Sequence, residues 1–163
     1  MEESQVLDVL QKARSQELFA ITQYLSFHEQ LESFGYSKLA DGMKEIAIKE
    51  MHHSAELGAR IKLLTCEPED VFVGEISKPK CALVIFKSAM DLEKTAISDY
   101  NYFIHICSEH KDFISADILL GMLKEEQQHF DYFMKTASLI ETIGAPFLAS
   151  QSSALISSIK QNS

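Results

Sequence analysis

Glu17, Tyr24, Glu50 and His53 recur as Glu93, Tyr100, Glu126 and His129, each 76 positions further along the chain. Their surroundings repeat too. ELFAITQY (17–24) and EKTAISDY (93–100) share Glu, Ala, Ile and Tyr at matching places, with Thr set against Ser. An internal repeat of this kind points to a duplicated supersecondary unit. Four carboxylates and two imidazoles gathered at one point make a metal site. The donor set suits iron or manganese, whereas structural zinc favours thiolate and imidazole in closed tetrahedra. Four glutamates carry four negative charges, which two divalent ions would cancel. Without cations such a cluster is costly to bury, and some of its members would stay protonated.

For this chemistry the six groups must meet, and the apolar pattern shows how they do. Residues 4–34 carry Val6, Leu7, Leu10, Ala13, Leu18, Ile21, Tyr24, Leu25, Phe27 and Leu31 at helical spacing, and Gly35 is the first breaker. Residues 37–64, 81–108 and 113–142 repeat the pattern, with a short polar break, SEHKD, at 108–112. Gly144 ends the fourth helix, and Pro146 opens a short fifth over about 146–160. Segment 66–80, CEPEDVFVGEISKPK, holds Pro68, Gly74 and Pro79 and has no helical period. Fifteen nearly extended residues reach about 50 Å. A helix of thirty residues is about 45 Å long. The segment can therefore run the full height of a bundle. The expectation is an all-α, single-domain chain over 1–163: a four-helix bundle at about 4–142, built from two hairpins joined by a long crossover, plus the short fifth helix.

The spacing then fixes the heights. The midpoint of 17 and 50 falls beside Gly35, and that of 93 and 126 falls inside SEHKD. In an antiparallel hairpin, residues equidistant from the turn lie level, so Glu17 faces Glu50 and Glu93 faces Glu126. His53 and His129 lie three residues beyond their glutamates, on the same helix face. A lone Glu-x-x-His is ordinarily a solvated surface pair. Two copies, each with a glutamate at matching height, give instead the donor set of di-iron carboxylate bundles. Tyr24 and Tyr100, two turns past Glu17 and Glu93, have two readings: hydroxyl partners of the metal ligands, or core tyrosines bonded elsewhere.

Composition narrows the function classes. Lys+Arg number 15 against 24 Asp+Glu, a net charge of −9, which argues against a nucleic-acid partner and favours cations. No run is long and apolar enough to span a membrane. The N-terminus, MEESQVLDVLQKARS, has no secretory apolar core, so a cytoplasmic location is expected. Cys66, Cys81 and Cys107 form no C-x-x-C pair; they read as reduced thiols, either small buried hydrophobes or incidental surface groups.

ELFAITQY, KEMHHSAEL, MDLEKTAISDY, EEQQHFDYF and LIETIGAPFLASQ together resemble the bacterioferritin family of ferritin-like proteins, over roughly residues 5–155. The resemblance implies a ferroxidase in which Glu50 and Glu126 bridge two irons. Glu17 and Glu93 would be terminal carboxylates, and His53 and His129 would supply one imidazole per iron. It implies Fe(II) oxidised with O2 or H2O2, ferric mineral stored in a hollow homo-oligomer of 24 subunits, and an electron donor such as a ferredoxin for iron release. It also implies a haem shared across a two-fold axis, with Met51 as axial ligand. Met51 follows Glu50 by about 100° round the helix, which turns it outward on a stripe with Ala47, Ile48 and Ala55; an exposed apolar stripe suggests a subunit contact. Lys49 departs from the family, which commonly has an acidic residue there at an inner-surface iron site. Asp131 reads as a solvated or pore-lining residue, and His28, His52, His105 and His110 read as surface or packing histidines. Two other di-iron readings carry weight: a twelve-subunit miniferritin-like cage that consumes peroxide, which the fifth helix opposes, and a rubrerythrin-like peroxidase, which the absence of C-x-x-C pairs opposes. A structural bundle with a vestigial site is the reading from a different class.

Overall fold

The computed structural model describes residues 2–64 and 67–153, with side chains from residue 5 onward. Four long helices make the bundle: α1 (Glu2–Ser33), α2 (Ser37–Leu63), α3 (Ala82–Glu109) and α4 (Phe113–Ile143). A single short helix, α5 (Ala145–Ser150), follows Gly144. Each terminus of the four long helices agrees with the sequence pattern to within two residues. The fifth helix is shorter than expected. Gln151 caps it, and the expected continuation through Leu155, Ile156 and Ile159 lies outside the described residues, as does Cys66.

The α1–α2 turn is tight because Gly35 takes a left-handed φ of 86°, which an L side chain rarely adopts. At the other hairpin, Asp112 caps α4 by accepting from the Ser115 backbone N–H at 3.1 Å. Its carboxylate also takes the Ser115 hydroxyl at 2.6 Å and Arg60 Nη2 at 2.7 Å, so the end of α2 is fastened to the α3–α4 turn. Burial raises the Asp112 carboxyl, but Ser115 and Arg60 outweigh it and hold the group below its ordinary range. At Gly42 a Cβ would overlap the Tyr132 hydroxyl, so α2 and α4 approach closely there.

The crossover is held by amide side chains along α1. Gln11 donates to the Glu67 carbonyl and accepts from the Glu69 N–H, both at 2.9 Å. Gln23 makes the same pair with Ser77, at 2.9 and 2.7 Å, and Gln30 donates to the Pro79 carbonyl at 2.7 Å. Arg14 adds an ion pair to Asp70 at 2.6 Å. From Gln11 to Gln30 is about 28 Å of helix, so the connection climbs most of the bundle. It carries the chain back to the end where α2 began, and α3 therefore runs antiparallel to α1.

The core is in two parts. Phe27, Leu31, Met43, Phe86 and Phe133 lead one apolar cluster, at the α1–α2 turn. Leu10, Leu57, Ile61, Phe103 and Leu119 lead the other, at the opposite end. Phe147 and Leu148 of α5 pack against the first. Just beyond α5, the Gln151 carbonyl accepts the Lys38 N–H at 3.0 Å, satisfying an orphan donor in the first turn of α2.

Candidate metal centre

Between the two apolar clusters lies a polar layer. Glu17, Glu50, His53, Glu93, Glu126 and His129 are all buried, none more than 4 % exposed. One comes from α1, two from α2, one from α3 and two from α4. The structure brings all six together in two overlapping quartets: Glu17, Glu50, His53 and Glu126, and Glu50, Glu93, Glu126 and His129. Within each quartet the ligand atoms all lie within 4.8 Å of one another. Glu50 and Glu126 belong to both, so each can span two ions.

Donor atoms point into the cluster. His53 Nδ1 stands 3.0 Å from Glu50 and 3.0 Å from Glu126, and His129 Nδ1 stands 3.0 Å from Glu50. None of these approaches has hydrogen-bond alignment. Both oxygens of Glu50, Glu126 Oε1 and both ring nitrogens of each histidine are buried without a hydrogen-bond partner. Leaving one buried polar atom unsatisfied costs about 1–3 kcal/mol. So many at one point form a cage of lone pairs, and carboxylate with imidazole fits iron or manganese.

The electrostatics agree with a site built for cations. Burial, reinforced by the Glu50 carboxylate, pushes Glu17 well above the usual carboxylate range. Burial and then Glu126 do the same to Glu93. Glu126 itself is also raised by burial, but His129 and His53 outweigh it and hold the group low. Burial disfavours a charged imidazole, yet the surrounding carboxylates win. They raise His53 far above its ordinary value and His129 to about 9.

The tyrosines cross between the repeats. Tyr24 donates to Glu93 Oε1 at 2.5 Å, and Tyr100 donates to Glu17 Oε1. Each hydroxyl thus serves the glutamate of the other repeat, because α1 and α3 run antiparallel. Burial, then the Glu93 and Glu17 carboxylates, hold the Tyr24 and Tyr100 phenols protonated. A cavity of about 460 Å³ lies between α1 and α3 under Val73 of the crossover. Gln16, Phe19 and Leu92 line it, and it reaches the cluster at Glu17, Glu93 and Glu126.

The other candidates lie apart. Met51 is 52 % exposed, with Ile48 and Ala55 also at the surface. Ala47 does not join that stripe: although it lies about one turn before Met51, it falls inside the buried arc of α2 and is fully buried in the apolar core. Lys49 and His52 are exposed. His28 packs against the Ala40 carbonyl at 2.9 Å, His105 lies 3.4 Å from Glu109, and His110 bonds Gln5 at 2.8 Å. Asp131 accepts from Gln127 on the surface. Cys81 is exposed, and Cys107 is buried with its thiol pushed up to about 11, mainly by that burial. One close neighbour was not singled out in the sequence: Glu125, whose Oε2 lies 3.5 Å from His53 Nε2. Its only signal is its place directly before Glu126.

Residues 7–143 match the model of the ferritin-like domain. The chain is 37 % identical over 146 residues to a bacterioferritin of Desulfovibrio desulfuricans, a match covering 90 % of this chain and 82 % of the relative. It is 27 % identical to a bacterioferritin of Mycobacterium leprae, over 90 % of this chain and 92 % of that one. Among solved structures, the D. desulfuricans bacterioferritin, described for its diiron site in different catalytic states, superposes with a TM-score of 0.90 at 36 % identity. That superposition covers 93 % of this chain and 88 % of the other.

Glu93→Gln keeps the size of the side chain and its place beside Tyr24 while removing an ionisable group. The metal-free variant is expected to melt no lower than the wild type. Its stabilisation by added divalent metal should shrink from the roughly 2.7 kcal/mol that a hundredfold excess over Kd gives. Thermal unfolding with and without metal measures both; a lower melting temperature in the metal-free variant would make Glu93 a structural anchor instead.

Proposed function

This chain belongs to the bacterioferritin family, and from that premise we propose that it is an iron-storage ferroxidase oxidising Fe(II) at the centre between its four helices. The overlap of the two quartets at Glu50 and Glu126 carries the reading. Glu17 and His53 would hold one ion and Glu93 and His129 the other, with Glu50 and Glu126 shared between them. Two divalent charges neutralise four glutamates, so the pair binds without leaving net charge in the bundle interior. The two ions supply the redox chemistry, one electron each. Dioxygen taking both electrons and two protons leaves as hydrogen peroxide; peroxide taking the same leaves as two waters.

The protein's own part is positioning. Tyr24 and Tyr100 fix the terminal carboxylates by donating to Glu93 and Glu17, which leaves the lone pairs of those groups aimed inward. The apolar clusters on either side exclude bulk water and stiffen the helices that carry the ligands. The cavity between α1 and α3 is the route by which substrate reaches Glu17 and Glu93. The acidic balance of the chain draws Fe(II) toward it.

We place the protein in the cytoplasm as part of this reading; separately, no helix among the described residues is long and apolar enough to cross a membrane. We assign it a 24-subunit shell built from two-fold pairs. The exposed Met51 and Ile48 of α2 suit such a pairing, since a two-fold contact sets a residue near its own copy. Two Met51 thioethers, one from each subunit, would then hold a shared haem. A ferredoxin-type donor would return electrons for iron release.

Replacing both Glu50 and Glu126 by alanine is expected to abolish Fe(II) oxidation, followed by the absorbance of the ferric product; undiminished oxidation would refute the di-iron reading. A native mass near 24 copies of the 18.4 kDa chain is expected, and 12 copies would favour a miniferritin-like cage. Met51→Leu should remove the haem absorption band of the purified protein without changing that mass; a full band in the variant would exclude Met51 as ligand.

A further inference from the structure

The repeat that builds the centre is broken at one place that touches it. Glu125 corresponds in the repeat to Lys49, since each directly precedes its bridging glutamate. The two histidines are therefore not supported alike. His53 turns Nδ1 into the cluster, and its Nε2 lies 3.5 Å from the half-exposed Glu125 carboxylate. His129 also turns Nδ1 inward, but every carboxylate close to it among the described residues is on the Nδ1 side. Neither Nε2 makes a hydrogen bond, but only that of His53 has a carboxylate within ion-pair reach, and the position equivalent to Glu125 holds an exposed lysine. A carboxylate on the outer nitrogen of a metal-binding imidazole fixes the ring and makes it a better donor. Loss of such a partner typically costs about 10–100-fold in metal affinity. The sign of the outer charge works the same way: an anion behind His53 favours a cation in front of it, and a lysine at the equivalent position supplies no such anion to His129.

We propose that the two metal positions are unequal, the position held by Glu17 and His53 filling first because Glu125 backs its histidine where Lys49 stands in the other half. Glu125 is thus a positioning residue acting through His53, and Lys49 sets the weaker affinity of the second position. This rests on the two-ion reading of the centre and adds an order of filling to it. The consequence is a resident ion beside His53 and a more readily exchanged one beside His129.

Cobalt(II), which oxygen does not readily oxidise at such sites, tests the order. The metal-free full-length protein is titrated anaerobically and bound cobalt is read from its visible absorption. Crystals grown at one equivalent are then examined for anomalous scattering. The first equivalent is expected to bind about 10–100-fold more tightly than the second and to scatter beside His53. Glu125→Gln should weaken the first position by that factor and leave the second unchanged, and Glu125→Asp should restore part of the loss. Lys49→Glu should strengthen the second position and level the two. A general structural defect would weaken both positions together, and unchanged helical circular dichroism guards against it. Equal affinities in the wild type, first occupancy beside His129, or a Glu125→Gln variant that keeps its order would each overturn the proposal while leaving the two-ion centre standing. Failure to bind cobalt at all would overturn the centre and the proposal together.

Discussion

The constraint on which the rest of the structure depends is the burial of four carboxylates and two imidazoles in one layer. An isolated ionised carboxylate in an apolar interior is strongly disfavoured. This bundle places four within reach of one another and leaves oxygens of Glu50 and Glu126 without hydrogen bonds. Only strong packing elsewhere can hold such a layer shut. The apolar clusters above and below it do so, with Phe27, Phe86 and Phe133 at one end and Leu10, Leu57 and Phe103 at the other. Fully buried aromatic rings contribute large apolar areas at about 25 cal/mol per Å², so the ends of the bundle offset the cost of its middle.

The helix directions follow from the same requirement. Tyr24 meets Glu93 and Tyr100 meets Glu17 only if α1 and α3 run antiparallel at one particular register. A short loop after α2 would have sent α3 parallel to α1 and separated these pairs. The long crossover reverses that direction. Gln11, Gln23 and Gln30 hold it by bonding its backbone groups. Polar side chains far from the centre therefore set which repeat's tyrosine serves which repeat's glutamate.

Much of this was legible in the sequence. The helical period located the four long helices, and the midpoints of Glu17 and Glu50, beside Gly35, and of Glu93 and Glu126, inside the second turn, set the ligands at one level. The crossing of the tyrosine bonds was not legible, because it depends on the α1–α3 register, and no local pattern encodes contacts between helices so distant in sequence. The amide anchors of the crossover were hidden for a related reason: a glutamine on a helix has the same pattern whether it faces water or a neighbouring strand of chain. Ala47 was read as part of the outward stripe with Met51, which it neighbours four residues back, yet it falls just inside the buried arc of α2, a boundary that spacing alone does not draw. Glu125 drew no reading from the sequence, and only the fold shows His53 beside it.

Helix α2 joins the interior of the molecule to its surface over four residues. Glu50 and His53 face the cluster, while Met51 and His52 between them face out. A regular helix has no freedom between neighbouring residues, because each backbone hydrogen bond fixes the next turn. Whatever seats itself against Met51 therefore bears on the rigid segment that carries a bridging carboxylate and a terminal imidazole. The opposite side of that segment is restrained as well, since Arg60, farther along α2, is clamped by Asp112 and Ser115. With both ends and one face held, α2 has little room to shift. The ligand geometry then depends on side-chain rotation at Glu50 and His53 rather than on movement of the helix, which is where adjustment is needed if ions are to enter and leave through the cavity between α1 and α3.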